Sequence, residues 1–462
     1  MSDEFATRID GLELQNFRLF KSLNIDFHPQ LTVLTAPNGG GKTAVLEAVA
    51  LALRPYIDRL DHAAAANVRS RGGFSDRDIH RKLWWGGGTT PVVPVAVSVT
   101  GQLRDARASW RVVRTSAKEG ARTGFADAKR LIDAAVATRV EFERGGPPAA
   151  PFAVVALYGT DRLFGARPPH GNSTLTKGGR LEITPFSAYR DALRASARYG
   201  DFEEWYGRFS MQAEREDRTG EPGPYDARQR LGVVDRAVGA QLLGQGWESL
   251  SFDEIAWGMT AYNEARGWLP VSWLSDGLRA VIGLVGDLAH RCSRLNPHLG
   301  ERAALESPGV VLIDEIDMHL HPAWQQTVIG SLRAAFPKIQ FIVSTHSPQV
   351  LSTVAAESIR ILDVDNGEGH AFQPARTPYG HASSVALEAI QGVGAYPPTE
   401  LLDTLREYQR LVGEDQHDSA RALELREQLE QAWGATDPEI LRLDVGIRKN
   451  EVLRKLGRKG AP

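Results

Sequence analysis

The chain is poor in the features that mark several protein classes. Among 462 residues there is one cysteine, Cys292, which excludes an internal disulfide framework and a thiolate zinc site and suits a reducing compartment. Long apolar runs are missing. Ala44 to Leu53 is broken by Glu47, and nothing approaches the ~18 residues of a bilayer span. The first ten residues include Asp3 and Glu4 and lack the apolar stretch of a secretory signal. Excess charge of either sign is also absent. With 54 basic and 57 acidic side chains the formal charge is -3, so contact with nucleic acid or anionic lipid would need a local patch. No repeat of fixed period or sustained heptad pattern appears, which argues against a long coiled coil. A cytoplasmic, soluble protein is expected, and 42% apolar residues suffice for a sizeable core.

What is present is patterned. Leu12 and Leu14, then Ile25 and Phe27, then Leu31, Val33 and Leu34 read as strands, with His28-Pro29-Gln30 as a turn. Gly39-Gly40-Gly41 follows, and then Lys42 to Arg54, an Ala/Leu/Val-rich helix closed by Pro55. Residues 57–94 are poorly patterned and read as a surface insertion. Val92–Val99 and Trp110–Arg114 read as strands, and Phe152–Tyr158 as a buried one. From Phe186 to about Gly244 the period is helical. Phe202, Trp205, Tyr206 and Phe209 share one helical face, a stripe suited to packing; Gln212–Arg230 reads as a loop.

After His381, Leu401, Leu405, Tyr408 and Leu411 mark a helix, Leu425, Leu429 and Trp433 a second, and Asp437-Pro438 starts a third. From Ile440 onward Arg442, Arg448, Lys449, Arg454, Lys455, Arg458 and Lys459 stand against Asp444 and Glu451. Such a tail is either a solvated face or a contact for DNA or RNA.

Four segments carry chemistry. Ala36-Pro37-Asn38-Gly39-Gly40-Gly41-Lys42-Thr43 reads as a phosphate-binding loop. A backbone nearly free of side chains can wrap anionic oxygens with its amides, and the helix that follows adds its positive end. Lys42 would reach the β/γ oxygens and the Thr43 hydroxyl would complete a Mg²⁺ shell. The first position is alanine where the general pattern has glycine. Val310 to Ile313 is an apolar strand ending in Asp314 and Glu315; Asp314 suits the Mg²⁺ shell and Glu315 the attacking water. Trp273-Leu274-Ser275-Asp276-Gly277 precedes an apolar helical run, offering a hydroxyl, an amide and a helix N-terminus to an anion, or an ordinary cap. Phe341–Ser344 delivers Thr345-His346-Ser347, where His346 could sense a γ-phosphate.

In this order the motifs resemble the ABC-type ATPase heads of the SMC and RecF families. The resemblance implies an α/β P-loop NTPase fold of ABC-ATPase type, with an N-terminal antiparallel β lobe, a largely helical insertion and a helical C-terminal tail. Two such heads pack face to face, so it implies ATP and Mg²⁺ bound by Asn38, Gly39, Gly40, Gly41, Lys42, Thr43 and Asp314. Glu315 and His346 would act in cis, and Ser275 and Gly277 in trans. Asn16-Phe17-Arg18 resembles the early motif whose arginine lies near the nucleotide. A Q-loop glutamine is implied too, with Gln102 the candidate.

A narrower likeness lies in Tyr158-Gly159-Thr160-Asp161-Arg162-Leu163-Phe164, in Asp314 to Pro322 and in Ser344 to Val350. These resemble the stand-alone AAA-type ATPases of bacterial anti-phage systems, the PtuA subunit of Septu and retron-associated systems among them. The likeness implies a separate nuclease subunit, often of the HNH class. The expected organisation is 1–56 and 271–380 as the ATPase head, 57–185 as the rest of lobe I, 186–270 as the helical insertion and 381–462 as the tail.

Two further clusters read better as structure. Asp317, His319 and His321 could suggest a metal, but the resemblance makes this segment a loop at the dimer interface. Asp363 and Asp365 could suggest a nuclease, but Ile359–Val364 reads as a strand and Asn366-Gly367 as its hairpin turn. Three functions remain: a defence ATPase controlling a nuclease, a RecF-like DNA-clamping ATPase, and a transporter subunit. The last is disfavoured because about 230 residues separate Lys42 from Leu274.

Overall fold

The computed structural model describes residues 7–60, 73–85, 87–103, 106–118, 121–145, 148–160, 184–193, 199–221, 226–242, 246–394 and 396–457. Asp161 to Phe164, Arg458 and Lys459 lie outside them. The chain divides into two compact units, 1–392 and 393–462.

The first unit opens with β1 (Thr7–Phe17), β2 (Phe20–Asp26) and β3 (Leu31–Thr35), followed by helix α1 (Lys42–Leu60). A small ribbon, β4 (Arg81–Leu83) with β5 (Thr89–Pro91), precedes β6 (Val95–Leu103) and β7 (Ala106–Arg114). Helix α2 (Lys129–Glu143) leads to β8 (Val154–Tyr158). Helices α3 (Tyr199–Thr219) and α4 (Ala227–Leu242) precede a three-stranded antiparallel sheet of β9 (Trp247–Asp253), β10 (Gly258–Asn263) and β11 (Gly267–Pro270). Then come α5 (Asp276–Leu295), β12 (Gly309–Ile313), α6 (Val328–Ala335), β13 (Ile339–Ser344), β14 (Ile359–Asp365), β15 (Glu368–Phe372) and α7 (Ser383–Ala389).

Ten strands form one sheet in the order β7-β6-β1-β2-β15-β14-β3-β13-β12-β8. Its two halves differ for a reason visible in the residues. β8, β12, β13 and β3 are mutually parallel, and every residue in them is buried. Helices cover both faces of such strands, so β8 and β12 read as near-continuous apolar runs, while β3 and β13 bury Thr32 and Gln340 as well. β1, β2, β6 and β7 pair antiparallel and keep one wet face, as the outward Glu13 and Gln15 alternating with buried Leu12 and Leu14 illustrate. The parallel strands point the same way, so their C-terminal ends share one edge.

Several local expectations are corrected. Helix α1 passes through Pro55 to Leu60, because Tyr56, Ile57 and Leu60 are buried and hold the last turn against the core. Part of 57–94 is docked rather than superficial: Phe74, Asp78 and Ile79 are buried, and Ile79 bridges Phe17. Helix α3 runs on to Thr219 and α4 begins at Ala227, so most of Gln212–Arg230 is helical. The helical insertion also contains β9 to β11. Gln102 sits inside strand β6, opposite Arg8 and Arg107, and not on a loop. The aromatic stripe packs as expected: Phe202 and Tyr206 are buried, and Trp205 lies 3.9 Å from the His290 ring on α5. Asn366 and Gly367, both with positive φ, turn β14 into β15.

The second unit holds three helices, α8 (Glu400–Gly413), α9 (Ala420–Trp433) and α10 (Pro438–Gly457), at the positions read from the sequence. Leu405, Tyr408, Leu411, Leu425, Leu429 and Ile440 form its own core. Arg421 pairs with Glu407 at 2.8 Å and Arg426 with Asp444, tying α9 to its neighbours. No helix among the described residues is long and apolar enough to cross a membrane.

Candidate functional site

The shared strand edge gathers the chemistry. β3 releases the chain into the loop 36–41, which is tightly wrapped. Gly41 has φ +89, and a Cβ there would lie 2.4 Å from the Phe20 ring; a Cβ on Gly40 would lie 2.7 Å from that of Ala36. Only glycine fits such a turn without displacing its neighbours. Ala36 takes no left-handed backbone, so its methyl is accommodated at the first position. Lys42 is buried, and its Nζ donates to the Ala36 carbonyl at 3.0 Å and to that of Pro37 at 3.5 Å. Burial lowers its pKa, against the opposing pull of Asp314, Glu315 and Asp317.

The neighbouring strand ends meet this loop. The Thr43 hydroxyl donates to Asp314 Oδ2 at 2.7 Å, and the Asp314 amide donates to the Tyr158 carbonyl at the end of β8. Ser344, the last residue of β13, ties two groups at once. Its hydroxyl donates to Asp314 Oδ1 and accepts the Glu315 amide at 2.8 Å. Glu315 takes a left-handed φ of +48, a conformation costly for a residue with a side chain and kept only where surroundings enforce it. Thr345 donates to Asp317, and Gln391 on the turn after α7 donates to the His346 carbonyl at 2.7 Å. Three strand ends and the loop thus bring Lys42, Thr43, Asp314, Glu315 and His346 to one edge.

These residues fit a polyphosphate with a divalent cation. The cradle excludes side chains at Gly40 and Gly41, a cation lies buried beneath it, and an oxygen pair from Thr43 and Asp314 is already in register. Hard oxygen donors of this kind suit Mg²⁺.

Arg18 is placed differently from the loop residues. Its guanidinium pairs with Glu47 on α1 and with Asp78 at 2.8 Å, so it braces α1 against the 76–78 turn.

The Ser275 segment stands apart from the phosphate loop. Ser275 caps α5, accepting from the Leu278 amide at 3.4 Å. Gly277 packs so closely on the segment after Glu315 that a Cβ would lie 2.4 Å from the His319 carbonyl. Ser275 opens onto a cleft of about 820 Å³ lined also by Trp247, Arg266, Trp273 and Leu274. No residue of the phosphate loop lines this cleft. Trp273 is 77% exposed. His321 caps the turn at Ala323 and Asp317 is engaged by Thr345, so both have structural partners.

Sequence reasoning missed several residues. Ser344 was readable only as a strand end, although a small hydroxyl residue directly preceding Thr345-His346 was a usable signal. A buried chain behind the site was unreadable: Tyr158 donates to Asp287 on α5 at 2.7 Å, and Arg291 joins the same carboxylate. It links the helix that Ser275 caps to β8, whose Tyr158 carbonyl accepts the Asp314 amide. Burial raises the Tyr158 phenol well above its usual range.

Family profiles match two stretches: "AAA domain" over residues 11–130 and "AAA domain, putative AbiEii toxin, Type IV TA system" over 191–352. Both stretches are thus similar to AAA domains. The chain is similar to the Retron Vc95 probable ATPase of Vibrio cholerae serotype O1 biovar El Tor, with 41% identity over 163 residues, 35% of this chain and 31% of that protein. The Retron Ec83 probable ATPase of Escherichia coli is 38% identical over 182 residues, 39% of this chain and 32% of its own. Septu protein PtuA of Bacillus mycoides (strain KBAB4) is 32% identical over 137 residues, 28% of this chain and 18% of its own. The chain thus spans about a third or less of the length of these curated relatives. Among solved structures, an SMC head bound to the C-winged helix domain of ScpA has a TM-score of 0.46 at 16% identity, covering 79% of this chain and 97% of that one.

Proposed function

We propose that this chain binds and hydrolyses ATP with Mg²⁺ in the cytoplasm as the ATPase of a retron- or Septu-type anti-phage complex. Two copies close head to head, and their nucleotide state scaffolds and controls a separate nuclease subunit of the HNH class. In this reading 1–56 and 271–380 form the ATPase head, 57–185 completes lobe I, 186–270 is the inserted lobe and 381–462 the tail, which could also touch DNA or RNA.

The observation that carries the reading is the contact of Thr43 with Asp314, which joins the phosphate loop to the acidic strand end. Amides of Asn38 to Gly41 and the Lys42 ammonium hold the phosphates, the lysine exchanging two backbone carbonyls for phosphate oxygens. Thr43 and Asp314 hold Mg²⁺, which supplies charge neutralisation at the phosphates when bound. Glu315 accepts the proton of the attacking water, and His346 donates a ring N–H toward the terminal phosphate. Ser275 and Gly277 complete the site of the other copy. The separate cleft at Ser275 supports this division. Arg18 acts by bracing α1 close to the loop.

Glu315→Gln should retain ATP binding, lose at least ~100-fold in hydrolysis and accumulate an ATP-dependent dimer on size-exclusion chromatography. Hydrolysis at the wild-type rate would refute the role of Glu315. Co-purification with the product of the neighbouring gene, followed by nuclease assays with and without ATP, tests the partner. A RecF-like DNA-clamping reading draws support from RecF of Mesorhizobium japonicum, 39% identical over 79 residues. Retention of duplex DNA by the ATP-closed dimer, with no nuclease partner, would favour it.

A further inference from the structure

The hairpin of β4 and β5 carries three large apolar side chains that no described residue of the unit covers. Leu83 is 76% exposed, Trp84 63% and Trp85 fully exposed. The hairpin is nonetheless well anchored. The His80 amide donates to the Asn16 carbonyl at 2.8 Å, the Val92 amide to the His80 carbonyl at 2.8 Å, and Ile79 bridges Phe17. At its tip the Trp84 amide donates to the Gly88 carbonyl at 2.8 Å, and the Trp84 indole N–H to the Thr90 hydroxyl. Rigid indoles held out in water are costly unless something covers them.

Charge identifies what does. Residues 79–118 hold seven Lys and Arg against the single acid Asp105, in a chain whose net charge is -3. Arg114 is spent internally on Asp76. Arg81, Lys82 and Arg107 are exposed and make no ion pair among the described residues. Arg111 donates to Gln15, the neighbour of the residue that anchors the hairpin. Arg81 and Lys82 lie on the same hairpin as the indoles, exposed and without an ion-pair partner among the described residues, and match a ligand with anionic links and flat aromatic faces. An indole can stack only on a base that is not enclosed in a duplex.

We propose that the Arg81–Pro91 hairpin is a binding site for single-stranded nucleic acid. Bases stack on Trp84 and Trp85, and phosphates meet Arg81, Lys82 and Arg111. The site is independent of the nucleotide pocket.

The test is fluorescence anisotropy of the full chain with a labelled oligo(dT), read together with quenching of tryptophan emission at several salt concentrations. Trp84→Ala with Trp85→Ala should weaken binding at least ~10-fold while leaving ATP binding and Tm unchanged, and phenylalanine at both positions should restore most of it. Arg81→Ala with Lys82→Ala should flatten the slope of log K against log salt by about 1.4. Wild-type binding by the double tryptophan variant would overturn the proposal, as would preference for a duplex of the same sequence. Loss of a co-purifying protein with oligonucleotide binding intact would also overturn it, making the hairpin a protein contact instead.

Discussion

The phosphate-loop half of the site and the Ser275 half are built in opposite ways. In the first, Lys42 is held by carbonyls of its own loop, while Thr43, Asp314, Glu315 and Ser344 satisfy one another at the ends of buried strands. In the second, Ser275 does no more than cap its helix, beside an exposed Trp273 and an open cleft. A half that is closed on itself can hold a ligand alone. A half that faces outward needs an occupant from elsewhere, which is the physical content of the proposed dimer. Between them lies the buried Tyr158–Asp287–Arg291 chain, which joins β8 to α5.

The largest expected effect falls on the closed half. Lys42→Ala should weaken ATP binding by about 100-fold, since one charge-assisted contact to phosphate disappears; equilibrium binding of a fluorescent ATP analogue checks it. Ser275→Arg should break the comparison from the other side, leaving that binding unchanged while steady-state turnover is lost. Turnover at the wild-type level would mean that the open half has no part in the reaction.

Ser344→Ala sharpens the contrast more gently. It removes the donor to Asp314 and the acceptor of the Glu315 amide, at a cost of about 1–3 kcal/mol. A roughly ten-fold lower kcat with little change in KM is expected.

The smallest effect concerns the lobe that precedes the open half. Burial pushes the Asp235 carboxyl up to about 6, although Tyr206 donates to it at 2.7 Å. Its folded pKa lies above the ordinary carboxyl value of 3.8, so stability is lost as pH rises from about 4 through 6 and the full penalty applies above that. Asp235→Asn should therefore raise Tm by a few degrees at pH 7.5 and leave it unchanged at pH 4, as differential scanning fluorimetry would record.

Much of this was legible in the residues. Leu31–Leu34, Val310–Ile313 and Phe341–Ser344 were readable as strands, and the loop at 36–43 lay between a strand and a helix where it was expected. The three C-terminal helices were readable because their apolar periodicity is strong. Pro55 misled because a buried flank outweighs a missing amide donor. The strands β9 to β11 were missed because their burial alternates over only a few residues each, too short a signal beside the helices before them.

Local pattern sufficed for the identity of the strands, the phosphate loop and the acidic pair, because periodicity and glycine content act over a few neighbouring residues. Which groups meet was decided by the parallel pairing of strands far apart in the chain. That pairing brings Ser344 to Asp314 and Glu315, while other long-range contacts spend Arg18 on Glu47 and Asp78, and Trp84 and Trp85 stay exposed. Side-chain partners and exposure depend on such long-range contacts, and no window of sequence contains them.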